Sequence, residues 1–178
     1  MKNILVIGGG AMGSAFTIPC IDNKNKVTIT EPYSKLFIKN LSSKTKNHSS
    51  LKIKMPKQLI FKNYSNELFR EKYDLIVIAL SGIDFIGKEL KKFKIKSPIL
   101  ILTKGLKYEK NSKTILTLSQ QLLKKNNKLN ISVLKGPCLA KELARKNQTS
   151  VIVANKNIKT AKYIGKIIST KYYLIEFS

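Results

Sequence analysis

Hydrophobic runs of two kinds alternate along this chain. Ile4–Ile7 and Asp74–Leu80 are almost continuously apolar, which is typical of parallel strands that are covered on both faces of a sheet. Thr114–Lys125 instead repeats its apolar residues at helical spacing, so that a stripe from Ile115 to Leu123 would face a core. Strands and helices are therefore predicted in alternation.

The same pattern predicts the order of the elements. The predicted strands are Ile4–Ile7, Lys26–Thr30, Leu59–Phe61, Asp74–Leu80, Pro98–Thr103, Ile131–Leu134, Ser150–Ala154 and Tyr172–Phe177. The predicted helices are Ala11–Ile21, Pro32–Asn40, Asn66–Lys72, Ile83–Phe93, Thr114–Lys125, Leu139–Lys146 and Ile158–Ile168, and a polar loop is expected over Leu41–Pro56. This alternation predicts one α/β domain over residues 1–178, a doubly wound, mostly parallel Rossmann sheet with helices on both faces.

The first strand runs directly into a glycine-rich turn. Gly8, Gly10 and Gly13 have the spacing of the dinucleotide-binding fingerprint, and the turn stands between a predicted strand and a predicted helix as that motif requires. In the motif the first glycine allows the tight turn, the second lets the backbone approach a pyrophosphate, and the third lets the helix pack close to the strand. Phosphates would then bind the N–H groups of the helix N-terminus. We interpret the turn as a cofactor site.

An acidic residue follows the second predicted strand. Glu31 lies about 20 residues beyond Gly10, where a carboxylate can accept hydrogen bonds from the adenosine ribose hydroxyls. Its negative charge would repel a 2′-phosphate. NAD is therefore the expected cofactor, and NADP is the less favoured one.

Two further segments fall at the carboxyl ends of predicted strands, where ligands of such a sheet bind. Lys104, followed by Gly105, would present an ammonium group to the ligand crevice, where it can hold an anion or polarise a carbonyl. Gly136 and Cys138 precede the helix predicted at Leu139, whose N–H groups can bind a phosphate or carboxylate. Cys138 is not expected to be a nucleophile, because no histidine or other base is evident beside it.

Charge raises a different hypothesis. The formal net charge of +24 is what a nucleic-acid binder would have. The basic residues are nearly all lysine, with Arg70 and Arg145 as the exceptions, and they are spread over the whole length. Base recognition and bidentate phosphate contacts favour arginine, so a nucleic-acid partner is not expected. A general attraction for small phosphorylated ligands is expected instead.

The remaining composition excludes several kinds of site. Cys20 and Cys138 are far apart and suggest neither a disulfide framework nor a metal site. His48 is the sole histidine, which excludes a histidine-based triad or a histidine metal cluster within this chain. The sequence shows no signal peptide and no apolar run long enough to span a membrane. We expect a soluble, reduced, cytoplasmic protein without a membrane partner.

Three separated motifs resemble one known family. They are Gly8–Ala15, Leu102–Leu106 (Leu-Thr-Lys-Gly-Leu) and Gly136–Ala144 (Gly-Pro-Cys-Leu-Ala-Lys-Glu-Leu-Ala), and Lys52–Lys57 looks like a lysine-leucine-proline stretch of the same family. Over essentially its whole length the chain resembles the N-terminal domain of bacterial NAD(P)-dependent glycerol-3-phosphate dehydrogenase. The second and third motifs, in this order and spacing, are more specific than the glycine turn.

That resemblance implies an oxidoreductase of glycerol-3-phosphate metabolism and phospholipid biosynthesis. It would reduce dihydroxyacetone phosphate to sn-glycerol 3-phosphate with NAD(P)H, and catalyse the reverse. By position in the family motifs, Ala11 and Met12 would line the cofactor pyrophosphate and Ala140 would lie near the cofactor. The residues that the resemblance places near the substrate are Lys104, which would also touch the cofactor, Gly136 and Cys138.

The sequence departs from the family pattern in four respects. Leu80-Ser81 stands where the family usually has Val-Pro. Cys138 stands where the family usually has Ser or Thr, and Pro32-Tyr33 stands where NADP-using members often have arginine, which again favours NAD. The family continues into a helical substrate domain that carries the usual proton-donating lysine, and that lysine would lie beyond Ser178. We therefore expect a cofactor half-enzyme with little or no activity by itself, completed by a helical second domain or a homodimer partner.

Three alternatives stay open. Another dehydrogenase of the hydroxyacid group would share the glycine turn, although the Lys104-Gly105 and Gly136-Pro137 motifs argue against it. A non-catalytic dinucleotide-binding module or remnant would explain the missing second domain. A nucleic-acid binder would rest on charge alone.

Overall fold

Twelve strands are found in the residues that the structure, a computed structural model, describes: 1–34, 37, 39, 47–109 and 113–178. They are β1 (Asn3–Ile7), β2 (Lys26–Thr30), β3 (Asn47–His48), β4 (Ile53–Lys54), β5 (Ile60–Phe61), β6 (Leu75–Ile78), β7 (Ile99–Ile101), β8 (Leu106–Glu109), β9 (Thr114–Thr117), β10 (Ile131–Lys135), β11 (Thr149–Ala154) and β12 (Tyr173–Phe177). The helices whose bounds lie within the described residues are α1 (Ala11–Asp22), α2 (Asp84–Lys92), α3 (Leu118–Lys125), α4 (Ala140–Ala144) and α5 (Ile158–Ile168), with a 3-10 helix at Asn66–Arg70.

Eight of these strands form one sheet, in the order β12-β11-β10-β7-β6-β1-β2-β5. Among the described residues its strand pairs are parallel, except that β10 and β11 are antiparallel. From β1 the chain proceeds to β2 on one side and later returns to β6 on the other, so the direction of winding reverses beside β1. The predicted doubly wound, mostly parallel, Rossmann-like α/β fold is confirmed.

The central strands are apolar on both faces because both faces are covered. Ile4 and Val6 of β1 belong to one hydrophobic cluster, which includes Phe16 of α1. The alternate residues Leu5 and Ile7 belong to a second cluster on the opposite face. The side chains of these four β1 residues are fully buried. Since side chains alternate across a strand, a continuous apolar run is required wherever helices cover both faces.

One predicted helix is wrong over its first turn. Thr114–Thr117 forms β9 and pairs antiparallel with β8, and the helix begins only at Leu118. A capping box sets this boundary: the Thr117 side chain accepts the Gln120 N–H, and the Gln120 side chain accepts the Thr117 N–H. Ile115, which the prediction placed in the apolar stripe, is 65% exposed.

The predicted polar loop Leu41–Pro56 also contains structure. Residues 41–46 lie outside the described residues, but Asn47–His48 pairs with Ile53–Lys54 as a two-stranded hairpin. Leu51, between the two strands, and Met55, directly after them, are buried, which stabilises the hairpin despite its polar sequence. The helix predicted over Pro32–Asn40 falls largely outside the described residues.

Asp74 connects the start of β6 to β1 and α5 by hydrogen bonds at the amino edge of the sheet. Its carboxylate accepts the Asn3 N–H at 2.8 Å, the Lys2 ammonium at 3.0 Å and the Tyr163 hydroxyl of α5 at 3.2 Å. The Asn3 hydrogen bond is the main reason that the pKa of Asp74 lies below its usual value, and the Lys2 ammonium lowers this pKa further. The charged form therefore stabilises the fold.

We expect Asp74→Ala to lower the free energy of unfolding by about 1–2 kcal/mol at pH 7, because it removes hydrogen bonds to a charged acceptor. A lowered pKa stabilises the fold above the ordinary aspartate pKa of about 4, and this stabilisation is lost as the pH falls through the folded-state value. Urea unfolding should therefore show a smaller difference between wild type and variant at pH 3 than at pH 7. Glu67→Ala, which removes an exposed pair with Arg70, is the control and should cost less than about 0.5 kcal/mol. An equal difference at both pH values would contradict the assignment.

Candidate functional site

The three fingerprint glycines, Gly8, Gly10 and Gly13, have different steric surroundings at the end of β1. Gly8 has a φ of +117°, and a Cβ there would overlap the carbonyl of Ala79. A Cβ at Gly13 would overlap the Gly8 carbonyl oxygen, so only glycine lets α1 pack this close to β1. Gly10 is different, because a Cβ there would meet no atom within 4 Å. The space beside Gly10 is open.

The N-terminus of α1 faces this open space. Gly10 is the N-cap, and its carbonyl accepts the Ser14 N–H at 3.0 Å. Ala11 and Met12 follow as half-buried residues of the first turn, and no acidic side chain lies in that turn. The positive end of the helix dipole is therefore not neutralised from within the helix, and its N–H groups can bind an anion.

Glu31 lies against the glycine turn. Its carboxylate accepts the Gly9 N–H at 2.7 Å and the Tyr33 N–H at 2.8 Å, one on each oxygen. It therefore holds the turn from the end of β2, a contact that the sequence did not predict. Each carboxylate oxygen keeps a second acceptor site, which a ribose hydroxyl can use. Binding of a ribose by Glu31 stays a prediction.

A pocket of about 220 Å³ lies at the carboxyl ends of β6, β7 and β10, beside the first turn of α1. Its lining residues are Met12, Ala79, Leu80, Leu102, Thr103, Lys104, Leu134, Lys135, Gly136 and Cys138. The fold thus brings Met12 of the glycine motif together with Lys104 and Gly136 of the other two motifs. The lining is mostly apolar, with the exposed lysines Lys104 and Lys135 at its rim.

Ala140 lies apart from this pocket. It lines a separate open cavity of about 600 Å³, together with Ala11, Ser50, Leu139 and Arg145 among others. Helix α4 is shorter than predicted, since it spans Ala140–Ala144 rather than Leu139–Lys146. The two alanines nevertheless face one space, because α1 and α4 pack side by side.

Cys138 is a buried thiol at the pocket wall. Burial raises the pKa of Cys138, and the Tyr173 side chain and, to a smaller extent, the Lys104 ammonium only partly oppose this effect. The group is therefore a thiol rather than a thiolate at neutral pH, consistent with its assignment as a non-nucleophile. Its backbone N–H donates to the Gly136 carbonyl at 3.0 Å, which leaves that N–H unable to serve as a free anion donor.

A larger open groove of about 590 Å³ lies at the opposite, amino edge of the sheet. Asp74, Pro98 and Asn130, which immediately precede β6, β7 and β10, are among its lining residues. Ligands of a doubly wound sheet bind at the carboxyl edge, so the smaller pocket beside the glycine turn is the candidate site.

Two contacts of the glycine turn were not predicted from the sequence. His48 of β3 lies 3.1 Å from the Gly9 carbonyl oxygen, and the Phe37 ring occupies the place that a Cβ of Gly9 would need. No spacing rule points to either residue, since both contacts join segments that are far apart in the sequence. In the described part of the chain, no group of His, Cys, Asp and Glu side chains is arranged to hold a metal ion. The helices of that part are all too short or too polar to cross a membrane.

Fold and turn together define a Rossmann-like domain of the dinucleotide-binding class. A family model described as the NAD-dependent glycerol-3-phosphate dehydrogenase N-terminus matches residues 3–161. The chain belongs to this family.

Individual relatives agree with this assignment. The NADP(+)-dependent glycerol-3-phosphate dehydrogenase of Archaeoglobus fulgidus is 27% identical, over 97% of this chain and 52% of the relative. A glycerol-3-phosphate dehydrogenase (NAD(P)+) of Rickettsia typhi is 32% identical, over 97% of this chain and 53% of the relative. The chain thus spans about half the length of these relatives.

Solved structures show the same fold at lower identity. Glycerol-3-phosphate dehydrogenase from Coxiella burnetii superposes with a TM-score of 0.83 at 19% identity, covering 99% of this chain and 54% of that one. The Plasmodium falciparum enzyme gives a TM-score of 0.85 at 18% identity, covering 100% and 52%. Both likenesses support the Rossmann-like architecture.

Gly13→Ala should destabilise the fold by at least about 2 kcal/mol, because the new methyl group overlaps backbone that cannot move without separating α1 from β1. Gly82→Ala is the matched control, since a Cβ there meets nothing within 4 Å, and its effect should stay within about 0.5 kcal/mol. Urea midpoints of the two variants measure the difference. Equal midpoints would show that the stability of the fold does not depend on the close approach of α1 to β1.

Proposed function

We propose that this chain is the dinucleotide-binding half of a glycerol-3-phosphate dehydrogenase-like oxidoreductase. The reaction transfers a hydride between NAD(P)H and the pair dihydroxyacetone phosphate and sn-glycerol 3-phosphate. The observation that carries the proposal is the open space over Gly10 at the N-terminus of α1. Met12 of the same turn lines the pocket that also holds Lys104 and Gly136.

The first turn of α1 supports binding of the cofactor pyrophosphate. Its N–H groups lie at the positive end of the helix dipole, and the absent Cβ of Gly10 leaves room for phosphate oxygens to approach the backbone. A dinucleotide bound here supplies the hydride. Ala11 and Met12 would hold its phosphates, and Ala140 would border the cofactor from α4.

Lys104 is the residue that we assign to substrate contact. Its ammonium group, at the rim of the pocket, can hold the phosphate of the substrate or stabilise the negative charge that develops on the carbonyl oxygen during hydride addition. The apolar side chains of Leu80, Leu102 and Leu134 line the same pocket and would exclude water, which strengthens these electrostatic interactions. Gly136 and Cys138 would border the substrate on the β10 side.

The complete reaction needs more than these residues. The oxygen that receives charge from hydride addition must also receive a proton, and we infer that the proton donor comes from a helical second domain. The coverage of about half of each relative supports this inference. The 178-residue chain should therefore bind the dinucleotide and catalyse little or no oxidation by itself.

Fluorescence titration of the purified chain with NADH tests the proposal, with dihydroxyacetone phosphate added at saturation. We expect saturable binding without measurable NADH oxidation. Gly10→Ala should raise the NADH Kd at least about 10-fold with an unchanged thermal midpoint, because the methyl group fits the fold but occupies the space over the turn. Absence of NADH binding by the wild-type chain, or unimpaired binding by Gly10→Ala, would overturn the proposed function.

We also propose that Glu31 makes the chain prefer NADH to NADPH, through repulsion of the 2′-phosphate. Glu31→Gln removes the charge and keeps one acceptor oxygen, which can serve either the Gly9 N–H or the Tyr33 N–H but not both. The ratio of the NADPH Kd to the NADH Kd should fall about 10-fold in this variant. A weakened turn would lower the affinity for both dinucleotides, and that loss of affinity cancels in the ratio. Glu67→Gln, remote from the turn, is the control. An unchanged ratio would show that Glu31 does not face the ribose.

A further inference from the structure

His48 is a buried polar residue without a role in the site as described so far. It lies in β3, is 3% exposed, and both ring nitrogens have hydrogen-bond partners. Nδ1 accepts the Leu51 N–H at 3.2 Å, and Nε2 lies 3.1 Å from the Gly9 carbonyl oxygen. The Phe37 ring packs edge-on against the imidazole, with ring centroids 5.7 Å apart.

These partners define the tautomer. Because Nδ1 accepts a backbone N–H, it carries no proton, and the ring proton lies on Nε2. Nε2 therefore donates to the Gly9 carbonyl. Nδ1 thus makes a local hydrogen bond within the hairpin, to Leu51 three residues away. Nε2 makes a long-range hydrogen bond to the glycine turn, 39 residues away in sequence.

The two peptide groups that flank Gly9 are held by three hydrogen bonds. The Gly9 carbonyl accepts from His48 and from the Ser14 hydroxyl, at 2.9 Å, while the Gly9 N–H donates to Glu31. A trans peptide is planar, so a carbonyl and the N–H of the following residue point in opposite directions. Holding the Gly9 carbonyl toward His48 and Ser14 therefore aims the Gly10 N–H away from them.

We propose that His48 is a positioning residue for the dinucleotide site: through the Gly9 carbonyl it fixes the orientation of the glycine-rich turn and pre-organises the N–H groups that receive the pyrophosphate. The inference rests on the proposed function only for the identity of the ligand. A turn rich in glycine has much conformational freedom, which binding would otherwise have to restrict. The buried hydrogen bond restricts it in advance.

Two substitutions of His48 distinguish the roles of its two ring nitrogens. The Gln amide nitrogen occupies the place of Nε2, so His48→Gln keeps a donor for the Gly9 carbonyl and loses the acceptor for Leu51. The Asn amide oxygen occupies the place of Nδ1, so His48→Asn keeps the acceptor for Leu51 and loses the donor to Gly9. If His48 stabilises only the hairpin, His48→Gln should be the more disruptive variant. If His48 positions the glycine turn, His48→Asn should be the more disruptive one.

The test measures amide hydrogen exchange by NMR and the NADH Kd for each variant. With His48→Asn we expect exchange at the Gly9 and Ser14 amides to rise about 10-fold, with exchange at Leu51 unchanged and the NADH Kd raised about 5- to 10-fold. With His48→Gln we expect faster exchange at Leu51 alone, and an NADH Kd within about twofold of wild type. Exchange at Gly9 and Ser14 that is unchanged in His48→Asn, or an equal rise of the NADH Kd in both variants, would overturn the proposal.

Ser14→Ala changes the other hydrogen bond to the Gly9 carbonyl, the one donated from α1. This variant provides a test if the His48 variants fail to fold. It removes the second donor to Gly9 and leaves a residue that favours helix. We expect faster exchange at Gly9 and a higher NADH Kd, and no change in either would contradict the proposal. If the wild-type chain binds no NADH, the proposed function fails, and the exchange rates still decide whether His48 holds the turn.

Discussion

The close packing of α1 against β1 is the constraint on which the site depends. Gly13 stands so near the Gly8 carbonyl that no side chain fits between them, and Gly8 itself has a backbone conformation that favours glycine. This approach places the N-terminus of the helix directly beside the end of β1. The helix dipole, the open space at Gly10 and the pocket beside Met12 all follow from that placement.

Around this packing, the turn is held by residues from three different parts of the chain. Glu31 at the end of β2 accepts the Gly9 N–H, whereas His48 of the hairpin and Ser14 of α1 contact its carbonyl. A glycine-rich loop is permissive by itself, and it becomes a defined anion site only when its peptide planes are fixed. The supporting contacts are therefore as much part of the site as the glycines.

Particular elements show how far the sequence could be interpreted. The range of α5, Ile158–Ile168, and that of β2, Lys26–Thr30, agree with the prediction, because their apolar spacing and end signals are local. The helix predicted from Thr114 was wrong in its first turn, because the pairing of β9 with β8 overrides a helical pattern that Ile115 happens to fit. The hairpin of Asn47–His48 and Ile53–Lys54 was missed, since short polar strands carry no periodicity to detect.

The sequence by itself determined the alternation of strands and helices, the glycine turn and the strand ends at which ligand-binding residues would stand. These follow from local periodicity and from the backbone freedom of glycine. Only the tertiary structure decided that Met12, Lys104 and Gly136 share one pocket and that His48 touches Gly9. Those contacts join residues far apart in the chain, and their geometry is set by the order of strands in the sheet and by the packing beneath the hairpin, which no local pattern encodes.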